Sequence, residues 1–200
     1  MVSAAQRPPR VLLASASPRR SDLLASIGLA FEVLPSDIDE TEHVGEDPVT
    51  YVRRVAIEKA MATDATETDI VIAADTTVDV DGVILAKPDD DDDARRMLTM
   101  LGGRTHQVHT GVAVRHQGRT VANVATTLVT FVPLDPRLLE WYIATGEPHG
   151  RAGAYAIQGA AALLVRSVQG SVTNVIGLPL EMLDSLLGEA GVSLLGLLTP

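Results

Sequence analysis

The sequence predicts an α/β fold built on a mixed, twisted sheet flanked by helices. Three observations carry this expectation. Strand and helix signals alternate through the first half of the chain. The second half is richer in strands and holds two long runs able to pair as an antiparallel ribbon. Residues 70–74 are apolar throughout, the pattern of a central strand covered on both faces.

Val11, Leu12, Leu13 and Ala14 read as a short buried strand. Ser17 then stands as a helix N-cap, with Pro18 at the first helical position, where a missing N–H costs nothing. Leu23, Leu24 and Ile27 share one face of that helix, and Gly28 stops it. A second strand is expected over residues 31–34, followed by a polar loop carrying Asp37, Asp39, Glu40 and Glu42. Asp47 caps the next helix, which buries Val52, Val55 and Ala56 and carries Lys59 near its C-terminal end. The apolar run that follows is expected to end at Asp75. Residues 78–85 read as a hairpin turning at Asp81-Gly82, a dipeptide suited to the type I′ turn, and Lys87-Pro88 closes it.

Five aspartates, 89–93, lead into a helix whose Ala94, Met97, Leu98 and Leu101 keep i, i+3, i+4, i+7 spacing. Residues 108–114 and 121–132 form the ribbon around Gln117-Gly118. Asp135-Pro136 opens a helix burying Leu138, Leu139, Tyr142 and Ile143. The glycine-punctuated stretch 150–159 reads as a tight entry to a strand over 162–168. Pro179 opens a final helix with Leu183, Leu186 and Leu187, and residues 193–200 are expected to be a loosely held tail.

Composition narrows the function classes. With 46% hydrophobic but only 3% aromatic residues, the core must rest on Val, Leu, Ile and Ala. A net charge of −10 argues against a nucleic-acid binder or a protein of anionic membrane surfaces, though not against a small anion in a locally basic cleft. The absence of cysteine excludes disulfides, thiolate zinc sites and cysteine nucleophiles. No stretch has the length of a signal peptide or membrane span, so the expected location is the cytoplasm. No HExxH, GxSxG, GxGxxG or GxxxxGK[ST] pattern is present.

Several residues suggest chemistry. Arg19 and Arg20 fall in the first turn of a helix, beside free N–H groups and a partial positive charge. That placement is unfavourable unless an anion or carboxylate uses it, so the junction is a candidate phosphate cradle; the alternative is that both point into solvent or pair with local acids. Asp75, at the expected end of a buried parallel strand, stands where open α/β folds place their ligands and could orient a water or hold Mg²⁺; the alternative is an aspartate that only terminates the strand. Asp39 and Glu40 suit a hard cation or are simply solvated. Lys59 and Lys87 are the only lysines in a chain otherwise supplied with arginine, which suits compact charges on phosphate oxygens, at Lys87 most of all because Pro88 fixes its position; the alternative is an ordinary surface lysine, and for Lys59 taken alone that alternative is the favoured one. The aspartate run reads as a charged helix N-terminus. His106 and His109, three apart in a strand, point to opposite faces and cannot share a metal. Gln158, among small residues, could hydrogen-bond a base edge, or its segment is an ordinary tight strand entry.

The segments Ala14-Ser15-Ala16-Ser17-Pro18-Arg19-Arg20, Ala74-Asp75-Thr76, Lys87-Pro88, Gly103-Arg104-Thr105-His106, Thr110-Gly111, Gly153-Ala154-Tyr155-Ala156-Ile157-Gln158-Gly159 and Asn174-Val175-Ile176-Gly177-Leu178-Pro179-Leu180 occur in that order. In them the chain resembles the Maf family of nucleoside triphosphate pyrophosphatases, with one domain over 1–200 and its core at about 10–190. The resemblance implies two lobes around a central cleft, as in inosine triphosphate pyrophosphatases. It also implies hydrolysis of a nucleoside triphosphate between the α- and β-phosphates with a divalent metal, Mg²⁺ or Mn²⁺, and a homodimer. Asp75 corresponds to the proton acceptor. Ser17, Arg20, Lys59 and Lys87 would meet substrate phosphates, with Glu40 and Asp75 at the metal. Arg19, Thr76 and Gln158 fall at base-selecting positions, and that combination resembles the subgroup acting on dTTP and UTP, with modified pyrimidine nucleotides a further substrate class. His149 stands where many relatives carry tryptophan. A different reading of the same resemblance is a nucleotide-binding regulator of cell division acting through a partner.

Overall fold

The computed structural model describes residues 9–198. Its organising element is β3 (Ile70–Val80), which is longer than the apolar run suggested. The chain does not leave the sheet at Asp75. β5 (Thr105–His116) pairs antiparallel with β3 from Val71 through Asp79, so the ladder carries Asp75, Thr76, Thr77 and Asp79 as strand residues. The expected strand end at Asp75 is therefore corrected: Asp75 is mid-strand. Only the parallel pairing ends before it.

The opposite edge of β3 is divided. β1 (Val11–Leu13) pairs parallel with Ile70–Ile72, and Ala14 N donates to Ile72 O at 2.8 Å. β4 (Val83–Leu85) pairs antiparallel with Val78–Val80 across the turn at Asp81 and Gly82, whose φ values are 55° and 79°. Among the described residues no strand pairs with that edge between these two stretches, so the sheet parts there. The full order is β2-β1-β3-β5-β6-β7, with β2 (Glu32–Val33) parallel to β1, and β6 (Arg119–Phe131) and β7 (Val165–Gln169) antiparallel beyond β5. The β5–β6 ribbon turns at Gln117-Gly118, as expected, with φ of 49° and 73°.

The helices divide one face of the sheet into two apolar groups. At one end α1 (Pro18–Ser26) and α6 (Leu180–Glu189) cover Leu13, Ile72, Ala74 and Val112. At the other, α3 (Asp91–Leu101) and α4 (Pro136–Ala144) cover Val78, Val80, Val108 and Phe131. These are the two lobes, and they share β3 and β5. On the opposite face α2 (Pro48–Ala62) lies over Leu12, Ala14, Val71, Ala73 and Ala113. The small residues of that group let α2 approach the sheet closely. α5 (Val172–Ile176) is a single turn between β7 and α6.

The aspartate run behaves as a helix start: Asp90 accepts from Asp93 N at 2.8 Å. His106 and His109 are separated by the sheet, the first bonded to Tyr155 and the second to Thr126, both at 2.9 Å. Two expectations are corrected. Residues 150–159 form turns rather than a strand entry, because Gly153 and Ala154 take φ of 66° and 60°. Residues 193–198 are held: Ser193 caps α7 (Leu194–Leu197), and Leu198 bridges Leu29 while packing on the α1–α6 group. The remainder of the expected tail lies outside the described residues.

Candidate active site

The parting between β1 and β4 opens as a cleft of about 540 Å³ lined from both lobes. Its acidic wall depends on α2. Val52, Val55, Ala56, Lys59 and Ala60 are buried along one stripe of that helix, at the spacing that faces a sheet. β5 carries Gly111 beneath the stripe, directly opposite Asp75 in the ladder. A Cβ at Gly111 would lie 2.5 Å from the Val52 carbonyl carbon and 2.9 Å from Arg53 N, so the approach is available to glycine alone. Two helical turns after Val52, Lys59 reaches over β3. Its Nζ lies 2.9 Å from Asp75 Oδ1 and 2.9 Å from Glu40 Oε2.

Glu40 is selected from the acidic loop by Tyr51, whose hydroxyl donates to Glu40 O at 3.0 Å. Burial, reinforced by the charges of Asp75 and Glu40, pushes the Tyr51 phenol up to about 12, which keeps it a donor. Asp39 is engaged locally, accepting from Thr41 N at 2.9 Å. Among the described residues no group of three or more His, Cys, Asp or Glu side chains gathers as a metal cage. Asp75 and Glu40 are the carboxylate pair that could hold a hard cation, completed by ligand and water oxygens. Asp75 commits Oδ1 to Lys59, and among the described residues no side chain or backbone group is bonded to its Oδ2. That donor set suits Mg²⁺ or Mn²⁺, which take oxygen ligands and retain water.

The opposite wall is cationic. Ser17 occupies the N-cap position of α1, but its hydroxyl makes no capping bond, so the expected side-chain cap is absent. Ser17 N is instead fixed by Ser15 Oγ at 3.3 Å. Arg20 is buried, not solvent-facing. It donates from Nε to Gly177 O at 2.8 Å, from Nη1 to Ser15 Oγ at 2.8 Å and from Nη2 to Thr76 Oγ1 at 3.0 Å. None of these acceptors is charged, and burial draws the guanidinium pKa downward. Thr110 donates to Asn174 O at 3.0 Å, so the 2.9 Å contact between Thr76 and Thr110 leaves Thr76 as donor. A directed chain therefore runs from Arg20 through both threonines to the backbone of α5. Asn174 closes it, donating to Val108 O and Thr127 Oγ1 at 2.9 Å each.

Ser17, Arg19, Arg20, Glu40, Lys59, Asp75, Thr76, Lys87 and Gln158 all line this one cleft. Sequence reasoning did not single out Tyr51 or Arg151, and it assigned no contact to Thr110, Gly111 or Asn174. Gly111 had a readable signal, a glycine inside a strand, which marks close backbone approach. Tyr51 and Asn174 had none, because their partners come from distant segments.

A mixed sheet parted over a carboxylate–lysine–carboxylate cluster, with arginines on the facing wall, defines an α/β protein built to receive an anionic ligand. The fold is shared with a Ham1 protein from Coxiella burnetii: TM-score 0.50, 17% identity, 91% of this chain and 100% of that one covered. The chain belongs to the Maf family, whose Maf-like protein model matches residues 10–190. It is 51% identical over 187 residues to a dTTP/UTP pyrophosphatase of Anaeromyxobacter sp. (strain Fw109-5), covering 91% of this chain and 90% of the relative. It is 48% identical over 196 residues to the dTTP/UTP pyrophosphatase of Bordetella parapertussis, covering 93% and 95%. A third relative of that name, from Moorella thermoacetica, is 48% identical over 190 residues, covering 94% and 98%.

Proposed function

We propose that this protein hydrolyses nucleoside triphosphates between the α- and β-phosphates, with dTTP and UTP as its principal substrates. The carrying observation is Lys59 Nζ at 2.9 Å from both Asp75 and Glu40, set across the cleft from Arg19 and Arg20, which among the described residues are ion-paired with no carboxylate. A triphosphate carries about four negative charges near neutral pH, which acids alone would repel and bases alone could not pair with a metal. The names of the relatives support the pyrimidine preference.

In this reading Asp75 Oδ2 accepts a hydrogen bond from the attacking water and takes its proton as the oxygen–phosphorus bond forms. The bond to the β-phosphate breaks and pyrophosphate leaves with the electron pair. Lys59 holds Asp75 by its other oxygen, which fixes the direction of the free one. Arg20 places fixed positive charge behind the cleft wall, where equatorial phosphate oxygens gain charge in the transition state. Glu40 and Asp75 would hold a divalent cation, which supplies electrostatic stabilisation of the polyphosphate when bound. Arg19, Thr76 and Gln158 would meet the nucleoside end; the Gln158 amide offers both donor and acceptor to a pyrimidine edge.

The test is a panel of the common dNTPs and NTPs, with modified pyrimidine forms, in Mg²⁺ or Mn²⁺ and in excess chelator. The reading expects turnover of dTTP and UTP above all others, lost in chelator. Equal turnover across purines and pyrimidines would remove the assigned preference, and turnover in chelator would remove the metal.

A further inference from the structure

Arg151 has no role in the function proposed above, yet it lines the same cleft. Its Nη1 donates to the carbonyls of Glu147 and His149, the latter at 3.1 Å. Both acceptors are neutral backbone groups, so they orient the guanidinium without cancelling its charge. Its Nε is buried with no hydrogen-bond partner. Among the described residues Arg151 forms no ion pair with a carboxylate, and neither does Arg19 on the facing lobe. The Glu147 carboxylate accepts from Tyr142 Oη at 2.9 Å and from Ala160 N and Ala161 N at 2.8 and 3.0 Å, and meets the Arg151 charge only through space, without an ion pair.

Two guanidiniums thus line one cavity from opposite lobes, and among the described residues neither is ion-paired with a carboxylate, in a chain of net charge −10. The Arg19 pKa is drawn down, first by burial and then by the Arg151 charge. A ligand that brings negative charge between the two relieves this repulsion. A neutral base carbonyl would satisfy an N–H but leave the repulsion in place; an ionised phosphate oxygen answers both.

We propose that Arg151 is a polyphosphate-binding residue, closing on an anionic oxygen at the nucleoside end of the substrate's polyphosphate, opposite Arg19. The proposal rests on the nucleotide reading of the cleft, and the test separates the two. The probe is inorganic tripolyphosphate, which has the charge of the substrate tail and no base, titrated calorimetrically in metal-free buffer at low salt. R151A is expected to weaken binding by about tenfold or more, as for loss of a charge-assisted hydrogen bond. R151K should restore most of the loss. R151Q keeps a donor for the two carbonyls but not the charge, and should bind as poorly as R151A; recovery in R151Q instead of R151K would assign Arg151 to loop structure and overturn the proposal. Unchanged tripolyphosphate affinity in R151A overturns it as well, even where the KM for dTTP rises, because the contact would then be to the base. If R151A loses tripolyphosphate while the wild type turns over no nucleotide, the anion site stands and the pyrophosphatase reading falls.

Discussion

Lys59 Nζ lies 2.9 Å from Asp75 Oδ1, joining the last turn of α2 to the middle of β3. Both side chains are buried, and such pairs are costly to break from one side. Lys59 has a second partner in Glu40 at the same distance. D75N should therefore fold while losing the acceptor that faces the water. We expect kcat to fall by about three orders of magnitude with little change in melting temperature. Wild-type kcat in D75N would remove Asp75 from the chemistry.

Gly111 is the position at which α2 touches the sheet. G111A places a methyl 2.5 Å from the Val52 carbonyl carbon, in contact with backbone that cannot rotate away. The helix must lift, and Lys59 lifts with it. Urea unfolding should show a loss of about 3 kcal/mol, with turnover reduced in the protein that remains folded. Unaltered stability would mean that α2 rests elsewhere.

Gly159 follows Gln158 and lies against the Glu147 carboxylate, which a Cβ at 159 would meet at 2.5 Å from Cδ. Glu147 cannot turn aside without releasing Tyr142, Ala160 and Ala161. G159A should therefore loosen the turn that presents Gln158. The expected signature is a flattened preference between dTTP and dCTP, measured as the ratio of kcat/KM values, with kcat for dTTP changed less than KM. Retained selectivity with a uniform loss of rate would disconnect this turn from base choice.

His106 predicts a pH dependence of stability. Its ring is packed edge-on against Phe131 and Tyr155 with centroids at 4.9 and 5.4 Å, and burial pushes its pKa down to about 4. The unfolded chain titrates near 6.5. Between these values the unfolded state binds the proton and the native state does not, so stability present above about pH 6.5 is lost as pH falls toward 4. From pH 7 to pH 5 the loss is about 2 kcal/mol from this group. His109, also lowered by burial, adds in the same direction. Glu46, held at about 2 by Arg54, contributes only at lower pH. Urea titrations of wild type and H106Q at pH 7 and pH 5 check this: the wild type should lose more than the variant, and equal losses would contradict it.

α2, α3 and α4 were legible because each has an apolar stripe at helical spacing and an aspartate cap, Asp47, Asp90 or Asp135. The hairpin at Asp81-Gly82 was legible from turn chemistry alone. β3 was misread at Asp75 because its polar second half is held in the sheet by β5, some thirty-five residues on, and no local pattern reports that pairing. The nine site residues were legible as types and as family positions. Their contacts were not: which loop acid meets Lys59 depends on Tyr51, and whether Arg20 faces solvent depends on Gly177, 157 residues away.

The bond that is cut tests the central claim most directly. Wild-type protein and D75N should be incubated with dTTP and Mg²⁺, and the nucleotide and phosphate products separated and quantified. The account predicts dTMP and pyrophosphate in equal amounts from the wild type and neither from D75N. Formation of dTDP and orthophosphate, or full product from D75N, would contradict it.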